Sequence, residues 1–254
     1  MRRAYLILVY AFLYIPIAVL MILSFNKAGM PTAWTGFSTE WYGKLAANPK
    51  IIWAAQNSLI VALCSSLVAT IIGTMLALGV ERGRTGASVD ALLFAPMIIP
   101  DIVLAIALLS FFTFLQFSLG LHSIILAHVV FNIAFVCAVV RARLKNFDWS
   151  LIEASRDLGA TAPATFWRIT FPLIFPAVIA GALLAFTLSV DEFIIAYFTA
   201  GPGQSSTTLP MQIYAMIRFG VTPEVNAMAT IIMLVSFTLV LFAQRLNRGS
   251  LPGT

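Results

Sequence analysis

The sequence predicts an all-α integral membrane protein with six transmembrane helices and both termini in the cytoplasm. Three observations carry that prediction. Of 254 residues, 61% are hydrophobic and only 10% charged, against roughly 45–50% and about 25% in soluble domains. The charge-free runs are long enough for spans of about 20 apolar residues. Basic residues collect on one side of those runs, as they do in cytoplasmic loops. A free globular enzyme is excluded, because a chain with a mean hydropathy of +0.98 cannot cover its own surface. The net charge of +5 does not point to nucleic acid, since no solvated domain is left to carry a clustered basic surface.

The first span covers residues 4–26. Its apolar stretch exceeds the 7–15 residues of a signal-peptide core and no A-x-A site follows, so it is read as a retained helix. The second covers 58–80 and is closed by Glu81, Arg82 and Arg84. The third covers 91–115 and carries Pro96, Pro100 and Asp101. The fourth covers 121–140 and stops at Arg141. The fifth covers 173–198 and contains Asp191 and Glu192. The sixth covers 223–243, with Thr222 as N-cap and Pro223 at the first helical position. Placing the N-terminus in the cytoplasm assigns 11 of the 15 Lys and Arg residues to that face and leaves Lys27, Lys44, Lys50 and Arg218 outside.

The loops are unequal. External loop 27–57 holds Trp34, Trp41, Tyr42 and Trp53, which suit an interfacial belt. External loop 199–222 carries the turn Gly201-Pro202-Gly203 and a short helix-length segment, Met211–Phe219. Neither could fold alone, so residues 1–254 are read as a single transmembrane domain. Stripes of small residues, Ala69-x3-Gly73-x3-Ala77 and Ala177-x3-Gly181-x3-Ala185, mark faces where helix backbones approach closely. Cys64 and Cys137 read as small packing residues. His122, His128 and Asn132 read as interhelical hydrogen-bonding groups rather than a proton relay. No catalytic constellation and no metal-ligand cluster is expected.

The cytoplasmic loop 141–170 is the most informative stretch and holds five of the 15 basic residues. Ser150 and Glu153 fit an S-x-x-E capping box that starts a short helix. Gly159 stops it, because glycine takes positive φ without a Cβ penalty. Thr161 caps a second segment, with Pro163 in its first turn. Helix, glycine break, helix along the membrane surface, with Glu153, Arg156 and Asp157 as charges, makes a docking surface for a soluble partner.

That loop resembles the EAA signature of binding-protein-dependent ABC importer permeases, E-A-A-x3-G-x9-I-x-L-P. Glu153, Ala154, Gly159, Ile169 and Pro172 match at the family spacing, while Ser155 stands for the usual Ala and Phe171 for Leu. Ser24-Phe-Asn26, the run from Trp34 to Tyr42, Pro100–Ala105, Lys145–Asp148 and Gly220–Ala227 extend the likeness toward the second permease subunit of spermidine/putrescine importers. The resemblance implies a MetI-like fold in the bacterial cytoplasmic (inner) membrane. It further implies a heterodimer with a sister permease, two cytoplasmic ABC ATPase subunits, and a periplasmic or lipid-anchored binding protein. ATPase coupling would fall to Glu153, Ala154, Ser155, Arg156, Asp157 and Gly159. ATP and Mg would belong to the partner ATPase, with no cofactor in this chain. The sequence agrees: Gly43-Lys44 is followed by Leu45 and lacks the upstream glycine of a phosphate loop.

The intramembrane acids bear on cargo. A carboxylate at the bilayer centre costs about 2.5–3.5 kcal/mol, so Asp101, Asp191 and Glu192 should face protein or a water-filled path. On one helix, Asp191 and Glu192 would project about 100° apart. With Phe193 and Tyr197 supplying aromatic surface, these acids suit the spaced ammonium groups of a polyamine. Asp191 or Glu192 instead could pair with a group on the sister subunit, and Asp101 could cap a Pro-broken helix. Another small organic cation, amine or amino-acid-like solute is the alternative cargo. A secondary transporter would show an internal repeat and would leave the EAA loop unexplained. A membrane-embedded enzyme would need His and acid groups clustered at a common depth.

Overall fold

In a computed structural model, residues 2–27, 34–83, 86–218 and 220–248 are described. Arg84 and Phe219 lie outside the described residues, as do the side chains of Arg2, Arg3, Arg245 and Arg248. The chain divides into two units, one of residues 1–52 with 212–254 and one of residues 53–211.

In the first unit, α1 (Arg2–Leu23) runs into a tight return. An antiparallel bridge joins Asn26 to Phe37, and the Phe25 and Phe37 rings stack at 5.3 Å. The Asn26 side-chain oxygen accepts from the Thr35 amide at 2.9 Å. In α2 (Glu40–Ala47), the Trp41 indole donates to the Asn26 carbonyl at 2.8 Å, and the Tyr42 hydroxyl sits 2.7 Å from that of Ser24. Two of the four expected belt aromatics are thus spent on holding the turn. The unit closes with most of α11 (Leu209–Ile217) and with α12 (Pro223–Arg248), which starts where Thr222 and Pro223 predict.

The second unit is built around α6 (Leu121–Leu144). Against it packs α3, which spans Pro49–Gly83. Its 35 residues measure about 52 Å at 1.5 Å per residue, well beyond a hydrocarbon core of about 30 Å. The helix therefore extends beyond the predicted span 58–80 at both ends, and Trp53 and Asn57 belong to it. Also packed on α6 is α9 (Phe171–Asp191). The small-residue stripes are contact faces for the same helix. A Cβ placed on Gly73 would lie 2.9 Å from Val136 Cβ, and one on Gly181 would lie 3.3 Å from Val136 Cγ1. Buried Ala77, Val136, Cys137, Val140, Ile174, Val178 and Ala185 form the core between these helices. Cys137 packs there as expected, whereas Cys64 is exposed.

The third predicted span, 91–115, is not one helix. It is α4 (Ala87–Ile98) and α5 (Asp101–Phe114), bent by 104° at the break. Pro100 lacks an amide hydrogen and clashes with a continuing helix, so the break falls there. The fourth helix runs past the predicted stop because Arg141 is paired: its guanidinium meets Glu81 at 2.9 Å and Asp90 at 2.8 Å.

After α6 come α7 (Ser150–Asp157), α8 (Ala162–Thr165) and a π-helical turn, Phe166–Thr170, that feeds α9. The predicted fifth span, 173–198, is also broken: α9 ends at Asp191, and α10 (Ile194–Thr199) follows. The loop beyond is pinned by Asn57, whose side-chain amide donates to the Thr207 carbonyl at 3.0 Å. Among the described residues, four helices are long and apolar enough to cross a membrane, and the bent α4–α5 pair makes a fifth candidate.

Candidate functional site: an acidic cavity and a surface helix pair

Both helix breaks open onto one cavity of about 490 Å³ in the second unit. Its lining brings together Asp101 from the start of α5, Asp191 from the end of α9, and Glu192 and Phe193 from the break before α10. Phe131 and Phe135 of α6 add an aromatic wall. The lining contains no lysine or arginine among the described residues. Tyr197 does not line it; it is half exposed and packs on Phe193 with ring centroids 5.4 Å apart.

The two adjacent acids do not share a helix, which corrects the 100° expectation. Asp191 is the last residue of α9, and Glu192 is extended at φ −70°, ψ 126°. A helix break strands the first amide hydrogens of the next helix, and with Ile195 and Ala196 buried these need partners within the protein. Glu192 satisfies two of them: its carboxylate accepts from the Ile195 amide at 2.6 Å and the Ala196 amide at 2.8 Å. Its Oε2 also lies 3.3 Å from His128 Nε2. His128 Nδ1 is 2.6 Å from the Ser189 hydroxyl, which is 3.1 Å from that of Ser65. This chain links α6, α9 and α3, so His128 bonds between helices as expected. His122 does not, for its Nε2 bonds the Ser118 carbonyl in the preceding turn at 2.7 Å. The buried Asn132 side chain has no hydrogen-bond partner among the described residues.

Phe131 and Phe135 were missed as site residues. Their four-residue spacing puts them on one helix face, but nothing in the sequence distinguishes a cavity wall from core.

The second feature is the 141–170 loop. Gly159 takes φ +81° and ends α7, and Thr161 occupies the N-cap of α8, both as expected. The predicted capping box is replaced. Asp148 precedes the helix, and its carboxylate accepts from the Ser150 hydroxyl at 2.7 Å and the Ser150 amide at 3.0 Å. These bonds favour the ionised form and hold the Asp148 carboxyl below its ordinary range. Of the coupling candidates, Glu153, Ala154, Arg156, Asp157 and Gly159 are exposed, whereas Ser155 is buried. The Ser155 hydroxyl lies 3.0 Å from that of Thr165, fastening α7 to α8. A shallow groove between them is lined by Leu151, Ala154, Leu158, Ala164, Arg168 and Ile169, among others. Leu158 is 88% exposed beside it. Charged rim and bare leucine together form a surface suited to a soluble protein.

The chain is 41% identical to the spermidine/putrescine transport system permease protein PotC of Escherichia coli (strain K12), over 100% of this chain and 96% of that one. It is 42% identical to the putrescine transport system permease protein PotI of the same organism, over 91% of this chain and 85% of that one. A crystal structure of a bacterial ABC transporter involved in import of the acidic polysaccharide alginate shares the fold, at TM-score 0.76 and 18% identity over 98% of this chain and 94% of that one. Residues 69–250 match the model of the binding-protein-dependent transport system inner membrane component. The chain belongs to that family of inner-membrane transport components.

Proposed function

We propose that this multi-pass inner-membrane chain is the permease subunit of an ATP-driven importer that conducts polyamines such as spermidine and putrescine. The observation that carries the cargo is the cavity: two exposed carboxylates, Asp101 and Asp191, aromatic walls, and no cation in the lining among the described residues. Fold alone does not decide cargo, because the alginate importer shares this fold and is described with an acidic cargo. A diamine presents two ammonium groups on an apolar stem. The cavity offers carboxylates for the first and Phe131, Phe135 and Phe193 for the second, through ion pairing and cation–π contact.

On this reading the domain crosses the membrane six times, counting the bent α4–α5 pair and α12, with both termini cytoplasmic. The 11-to-4 distribution of basic residues supports that orientation. Residues 1–254 then act as one permease domain that pairs with a sister permease, and a periplasmic or lipid-anchored binding protein delivers cargo. Glu153, Ala154, Ser155, Arg156, Asp157 and Gly159 form this chain's coupling surface for one of the two ATPase subunits, which hold the ATP and Mg. Closure of the ATPases draws the coupling helices together and opens the path outward; hydrolysis returns it inward. This chain makes and breaks no covalent bond.

The test is uptake of radiolabelled spermidine and putrescine into proteoliposomes holding the complete importer. ATP- and binding-protein-dependent accumulation is expected. Accumulation of only another cation, or of an amino-acid-like solute, would overturn the cargo and keep the permease role.

A further inference from the structure

We propose that Glu192 is a positioning residue: it holds the α9–α10 break in place, and only Asp101 and Asp191 meet the cargo. This deepens the polyamine reading and rests on it.

Three observations separate Glu192 from the other two acids. Both of its oxygens are engaged, accepting from the amides of Ile195 at 2.6 Å and Ala196 at 2.8 Å. Its side chain is 10% exposed, while Asp101 and Asp191 are exposed. Its head group also rests against His128, which the Ser189 and Ser65 hydroxyls fix from two other helices.

The physical reason follows from the break. A chain that turns out of a helix between Asp191 and Ile194 must satisfy the first amides of the next helix from within the protein. A carboxylate does so well, because the bonds are charge-assisted and the helix start is electropositive. An ammonium group that drew Glu192 away would strand those two amides in a dry site. Asp191 carries no such duty and stands at the end of α9, at the cavity wall, because the chain leaves the helix after it. The cargo therefore meets two carboxylates rather than three.

Two readouts test this in the complete importer. The first is amide hydrogen exchange at Ile195 and Ala196. Loss of a helix cap corresponds to about 2- to 30-fold in a local equilibrium. Exchange should accelerate in that range in Glu192→Ala, and less in Glu192→Gln, whose amide oxygen still accepts. Unchanged exchange in Glu192→Ala overturns the positioning role whatever the cargo is. The second is the ratio of maximal spermidine to putrescine transport at saturating loaded binding protein. Glu192→Ala should slow both cargoes with an unchanged ratio, and Glu192→Gln should restore both in part. Asp191→Asn should change the ratio by about threefold or more, as loss of a charged contact does. A ratio shift in Glu192→Gln equal to that in Asp191→Asn overturns the proposal, because it places Glu192 on the cargo. Should Glu192→Ala fail to assemble, Glu192→Gln carries both readouts. A wild-type importer that moves neither polyamine refutes the cargo reading, while the exchange result still decides the role of Glu192.

Discussion

Adding one methyl group at either of two glycines should have different effects, although both glycines face Val136. A Cβ on Gly73 would lie 2.9 Å from Val136 Cβ and 3.0 Å from the Ile133 carbonyl oxygen, inside the ~3.5–4.0 Å optimum. That oxygen belongs to the α6 backbone and cannot rotate away. Overpacking of this kind costs about 1–3 kcal/mol, and replacing a mid-helix glycine by alanine returns up to about 1 kcal/mol. Gly73→Ala should therefore lose about 1 kcal/mol net, close to a fivefold change in the folding equilibrium. A Cβ on Gly181 would meet Val136 Cγ1 at 3.3 Å and its Cα at 3.5 Å. Here a side chain gives by a few tenths of an ångström, so cost and propensity gain cancel to within about 0.5 kcal/mol. Reversible unfolding of the purified complex in mixed micelles measures both. A Gly181→Ala loss equal to or larger than that of Gly73→Ala would refute this account of α3 and α9 packing on α6.

Three further outcomes follow from the same contacts. Arg141→Ala leaves Glu81 and Asp90 without their cation; Asp90 is partly solvated at 39% exposure, so the loss should be about 1–3 kcal/mol rather than the fully buried 3–5, and Arg141→Lys should recover only part of it because the fork geometry is lost. Gly159→Ala meets no neighbour within 4 Å but keeps φ +81°, so it should cost about 1–2 kcal/mol of local backbone strain, seen as faster amide exchange across α7 and α8 and weaker ATPase-coupled uptake. Asp148→Ala should fray the start of α7, seen as faster amide exchange at Leu151 and Ile152. Because the Asp148 carboxyl is held below its ordinary value, its contribution is complete above about pH 4 and is lost as pH falls through the lowered value; the protection factors of the Leu151 and Ile152 amides, corrected for base-catalysed intrinsic exchange, should therefore not vary between about pH 6 and 8.

Hydropathy made the helices legible, and fixed spacing made the 141–170 loop legible. Direction within an apolar run was not. Pro100 sits in a stretch that stays apolar on both sides, so the run reads as one span although the chain turns through 104° there. The break at Glu192 has no glycine or proline to announce it, because the carboxylate that stabilises it is itself the break. Asp148 outcompetes Ser150 as the cap of α7 by lying two residues earlier, a choice that composition does not rank. Gly73 and Gly181 were legible as contact faces, but their shared partner on α6 lies far away in sequence. The same holds for Arg141, counted as a topological charge, whose partners Glu81 and Asp90 are 60 and 51 residues away.

The central claim is that cargo passes the carboxylates of Asp101 and Asp191. It is tested most directly by ATP-dependent uptake of labelled putrescine into proteoliposomes holding the complete importer with Asp101→Asn and Asp191→Asn combined. Each charged contact is worth about 1.5–3 kcal/mol, so the double variant should lose transport by at least about a hundredfold while the complex still assembles and hydrolyses ATP. Uptake at the wild-type rate would take the cavity off the cargo path.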